Sequence, residues 1–122
     1  MTIDDSRLTF EADLSRVVGL LMSASRQIDQ MPLADQSPVD AYERLHLSSG
    51  ALLAAHRARH LLPHDLSLDE PVETNENAIS QAIAAHELLI VQLQGVEPFE
   101  LHELVAVVGN LCQDMRRHDR LH

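Results

Sequence analysis

The 122-residue chain has no tryptophan, no lysine, one cysteine and only three aromatic side chains, Phe10, Tyr42 and Phe99. A single cysteine, Cys112, excludes an intrachain disulfide and a thiolate zinc site within one chain. With aromatics at 2%, the core has to be built from Leu, Val, Ile, Ala and Met. The same scarcity removes the stacking platforms on which single-stranded nucleic acids bind. No apolar run approaches the length of a membrane span. The first residues, MTIDDSRLTF, are acidic and lack the apolar stretch of a signal peptide. These features predict a cytoplasmic protein with no membrane partner.

Hydrophobic residues make up 45% of the chain, too many for a disordered segment, and the length suits one domain spanning 1–122. Nineteen acids stand against nine basic residues, all arginine, for a formal charge of −10. Such an acidic chain is repelled on average by nucleic acid and by anionic membrane, so DNA is not an expected partner.

Periodicity predicts an all-α, up-and-down four-helix bundle with helices at about 5–31, 38–62, 75–94 and 98–120. In the first helix Phe10, Leu14, Val17, Leu21, Ala24, Ile28 and Met31 recur at alternating spacings of four and three, the seam of helices crossing at a shallow angle. Pro32 ends it. Ser37 and Pro38 read as the cap and first residue of the second helix, whose expected core stripe is Ala41, Leu45, Ser48, Leu52 and Ala55. The third helix presents Ile79, Ile83, His86, Ile90 and Leu93, and Gly95 suits its C-terminal cap. The fourth presents Leu101, Leu104, Val108, Leu111 and Met115. The linker 63–73, fully stretched, spans roughly 35 Å, barely a helix length. Alternating helix directions are therefore the economical expectation.

Alternation carries a functional expectation. The second helix ends in HRARHLLPH, residues 56 to 64, and the fourth in MRRHDRLH, residues 115 to 122. If both helices end at one pole, their arginines and histidines gather there. The plainest account of that cluster is electrostatic: cations near helix C-termini offset the macrodipole, each by about 0.3–1 kcal/mol.

Two sharper readings attach to the same residues. Arg59-His60-Leu61-Leu62-Pro63-His64 and Arg117-His118-Asp119-Arg120-Leu121-His122 each set an arginine five residues before a histidine. With the order of parts over residues 13 to 64, this resembles small proteins of the HEPN superfamily. The resemblance implies a dimerising helical bundle with metal-independent ribonuclease activity, Arg59 and His64 as catalytic pair and RNA as substrate. Arg117 and His122 form a second candidate pair. In that chemistry arginine neutralises the scissile phosphate, and histidine moves a proton during attack by the 2′-hydroxyl. The other reading is a metal site. His56 and His60 lie one helical turn apart and can share a divalent ion, with His64 completing the set.

His86 interrupts an apolar stripe and is expected to be a buried polar residue that specifies helix pairing. Cys112, beside the Leu111–Met115 stripe, reads as a small buried hydrophobe. Val18 and Met22 on the first helix, with Ala106 and Gly109 on the fourth, lie off the core seams. They are expected to form a homodimer interface. No complete catalytic set is present and no cofactor pattern appears. The leading expectation is therefore a small interaction or regulatory module without catalytic activity, homodimeric or bound to a protein partner.

Overall fold

The computed structural model describes residues 3–30, 38–62, 77–92 and 99–121, and every element among them is an α-helix. α1 runs Ile3–Asp29, α2 Pro38–His60, α3 Ala78–Gln92 and α4 Phe99–Leu121. Together they form an all-α four-helix bundle around one hydrophobic core. No described helix is long and apolar enough to cross a membrane.

The helix ends follow from local chemistry. Pro38 takes the first position of α2, as expected; Ser37 lies outside the described residues. At its other end, Leu61 N–H donates to the Ala58 carbonyl at 3.1 Å and Leu62 N–H to the Arg59 carbonyl at 3.0 Å. This tightened last turn comes just before Pro63, whose ring disfavours a helical conformation in the residue preceding it. α3 starts later than the expected position 75 because Asn77 caps it. The Asn77 Oδ1 accepts the Ser80 N–H at 2.8 Å, and its carbonyl accepts the Gln81 N–H at 3.1 Å.

The helix directions differ from the alternating order. The Gln81 Nε2 donates to Ser23 Oγ at 2.9 Å, and the Gln92 Nε2 donates to Asp13 Oδ2 at 2.6 Å. Moving forward along α3 therefore means moving backward along α1. α2 and α4 are also antiparallel, since Arg57 meets Glu103 and Gly50 meets Leu111. With Ser25 beside Ser48 and His86 over Gly109, the levels of all four helices agree when α1 and α4 run one way and α2 and α3 the other. α1 packs against α2 and α3, as does α4, which places α2 and α3 on a diagonal. The segment between them joins opposite ends of the bundle. Its length permits this because of the late cap at Asn77: from Leu62 to Asn77 the chain reaches about 50 Å, against about 35 Å for α2. The expected start of α3 at 75 and linker at 63–73 leave out that slack.

The expected faces of α1 and α4 are the buried ones. Leu14, Val17, Leu21, Ala24 and Ile28 are buried on α1, and Leu101, Leu104, Val108, Leu111 and Met115 on α4. The faces of α2 and α3 are rotated from expectation. α2 buries Leu47, Ser48, Ala51, Ala54, Ala55 and Ala58, while Leu45 and Leu52 point outward. α3 buries Ala78, Gln81, Ala82, Ala85 and Leu89, and Ile90 is exposed. The reason is complementary volume. α1 and α4 supply the large side chains, so facing alanines let the backbones approach and still fill the core at native density. Leu93 and Met31 lie outside the described residues.

Candidate interaction surface

The helix directions separate the two Arg/His-rich segments. HRARH closes α2 at the end where α4 begins, so its neighbours are Glu100 and Glu103 near the start of α4. Arg57 Nη1 lies 3.9 Å from Glu103 Oε2, with both side chains about half exposed. Such a surface pair is worth under about 1 kcal/mol. Arg57, His60, Leu61, Glu100 and Glu103 line a small cleft of about 250 Å³. Arg116 and Arg117 lie near the far end of α4, at the opposite pole. The shared Arg/His-rich pole expected from alternation is thus divided between the two ends, and at the end of α2 the cations meet α4 anions.

The catalytic and metal candidates are placed as follows. Arg59 is half-buried at the end of α2, and His56 and His60 are exposed on it; His64 lies outside the described residues. Arg117 is exposed on α4, and His122 lies outside the described residues. Neither expected Arg/His pair is therefore described in full. Among the described residues no group of three or more His, Cys, Asp or Glu side chains could hold a metal ion.

His86 is partly buried and lies over Gly109: a Cβ added at Gly109 would sit 3.1 Å from the imidazole Nε2. Gly109 thus serves the close approach of α3 and α4. His86, Glu87, Asn110, Gln113 and Arg116 surround a groove of about 460 Å³ between those helices, with Cys112 at its base. Burial pushes the Cys112 thiol above its ordinary value of 9.0, an effect Arg116 partly opposes. Cys112 is a buried, free thiol, in keeping with a core role. Of the remaining expected interface residues, Val18 is only 3% exposed and belongs to the core, whereas Met22 and Ala106 are exposed.

Other polar residues bond across the helices. Gln81 is fully buried and bonds to Ser23 across α1 and α3. Ser48 Oγ donates to Asp29 Oδ1 at 2.6 Å. Its only proton is then committed, so in the 3.0 Å contact between the two hydroxyls Ser25 donates to Ser48. The signal for Gln81 was its place in the alanine row of α3, hidden because the isoleucine row looked more apolar.

Rotating α2 inward on its alanines leaves its large apolar side chains outside. Tyr42 is 71% exposed, Leu45 63%, Leu52 41% and Leu53 63%. From Leu45 to His56 the sequence contains no Asp, Glu, Lys or Arg, in a chain of net charge −10. This uncharged apolar strip on the outer face of α2 is the feature of the described surface with the clearest functional character. Searches of family models, of curated proteins and of solved structures each find nothing that matches this chain.

Proposed function

We propose that this protein is a non-enzymatic interaction module whose binding surface is the outer face of α2. One observation carries the reading: the exposed row of Tyr42, Leu45, Leu52 and Leu53, its three leucines on a stretch without formal charge. Full burial of a leucine stabilises by about 1.5–3 kcal/mol, so leaving Leu45 and Leu53 largely in water and Leu52 partly so forgoes a gain that a partner surface can supply. Contiguous apolar surface of this kind on a small domain marks an interaction site. A reducing compartment such as the cytoplasm suits a chain whose one thiol is buried and free.

The test is photocrosslinking from a benzophenone side chain in place of Leu53, in cells of the source organism. A discrete adduct, of whatever mass, supports the module reading. Absence of any discrete adduct overturns it. RNA cleavage by purified protein in chelator, abolished by Arg59→Ala, would replace it with a HEPN-like ribonuclease.

A further inference from the structure

We infer that the outer face of α2 is covered by a second copy of this chain, in a two-fold pairing of α2 with the partner's α2, antiparallel and centred on Ser49. The inference rests on the reading of this face as an interaction surface and names its occupant.

The pattern of exposed residues is self-complementary. About Ser49, Leu45 stands four residues before and Leu53 four after. His46 and Leu52 stand three to either side, and Tyr42 and His56 seven. All seven positions are exposed. Two antiparallel copies crossing at Ser49 set Leu45 of one chain against the partner's Leu53, Tyr42 against the partner's His56, and Leu52 against the partner's His46. The row Tyr42, Leu45, Ser49, Leu52 and His56 has alternating spacings of three and four, the repeat of helices packed at a shallow angle. A small serine at the crossing point permits close approach.

Charge argues for the same occupant. Two molecules that each carry −10 repel wherever acidic faces meet. The stretch from Leu45 to His56 is where they can touch without setting acid against acid. The ends of α2 differ in net sign: Asp40, Glu43 and Arg44 near its start sum to −1, while Arg57, which also meets Glu103, and Arg59 near its finish sum to +2. Antiparallel pairing brings each start toward the partner's finish, whereas parallel pairing sets like ends together. The helix dipoles add in the same sense. One helix-on-helix contact buries less than a standard interface of ~1,600 Å², so the dimer is expected to dissociate in the micromolar range, ~1–100 μM.

Sedimentation of the full chain from ~1 μM to ~1 mM is the first measurement. A monomer–dimer equilibrium is expected, and Leu53→Glu should weaken it at least about tenfold while leaving the helical circular dichroism unchanged. Cysteine pairing then reads the register. Under mild oxidation, a mixture of Leu45→Cys and Leu53→Cys proteins should form the 45–53 cross-link in preference to 45–45 or 53–53. A preference for 45–45 means a parallel pairing and overturns the antiparallel one. A monomer at every concentration, or a dimer indifferent to Leu53→Glu, overturns the inference entirely. The photocrosslink separates the two levels of reading. A monomer whose position 53 captures a different, discrete protein ends self-pairing and leaves the interaction module. A monomer with no discrete adduct ends both.

Discussion

Gly19 and Gly109 are both helical, yet their surroundings differ. A Cβ at Gly19 meets nothing within 4 Å, while one at Gly109 meets His86 Nε2 at 3.1 Å. Alanine in a helix interior is favoured over glycine by about 0.8–1.0 kcal/mol. Gly19→Ala should therefore raise stability by close to that amount in urea denaturation. Gly109→Ala should give less, and should recover the full gain when combined with His86→Ala; equal gains in both backgrounds would dissociate Gly109 from His86. Cys112 offers a second test at this scale. Its thiol is raised in the folded state by burial, so the fold holds the proton more tightly than the unfolded chain does. That contribution is complete below the unfolded value and is lost as pH rises through the folded one. Denaturation followed from pH 7 upward should show stability falling above about pH 9, with a shallower fall in Cys112→Ala.

At the scale of the element, α2 is turned so that alanines face in and leucines face out. Ala51 and Ala54 have no exposed surface, so enlarging them forces apart helices that pack closely. Ala54→Leu should destabilise by about 1–3 kcal/mol, although it adds apolar bulk. Leu53→Glu, one residue away on the outer side, should change monomer stability by no more than about 0.5 kcal/mol. If the two costs came out reversed, the outward face of α2 would be its core face. Leu89 on α3 is completely buried, and Leu89→Ala should cost about 2–5 kcal/mol. The seams of α1 and α4 were legible in the sequence because each has one row of mostly large apolar residues sustained along the helix, even with Val18, Met22 and Ala106 beside it. α2 and α3 are apolar on more than one side, and a single helix holds no information on which side its neighbours occupy. Gln81 shows the consequence: it looks like a surface residue until the alanines around it are known to face inward.

For the whole molecule, helix direction decides which charges meet. Arg57 sits by Glu103, and Arg117 lies about 21 Å further along α4 at 1.5 Å per residue. Spin labels at His60 and Glu100 should therefore report a short distance, and labels at His60 and Arg117 a distance of about 20 Å or more. A short His60–Arg117 distance would restore the alternating order and the shared cationic pole with it. The Arg/His spacings that resemble HEPN motifs were visible in the sequence, but their spatial company was not. One local fact, the Asn77 cap that shortens α3 at its start, lengthens the preceding connection enough for it to join opposite ends.

Composition and periodicity by themselves determined that the chain is helical, that it makes four helices, and which rows of α1 and α4 are buried. These are properties of short stretches, set by backbone hydrogen bonding, proline and the transfer of apolar side chains out of water. Tertiary structure alone decided the direction of α3, the inward turn of the alanine rows, and so the outer face of α2. Those outcomes depend on how the volumes of four helices fill one core, a condition on all of the segments together that no single segment contains.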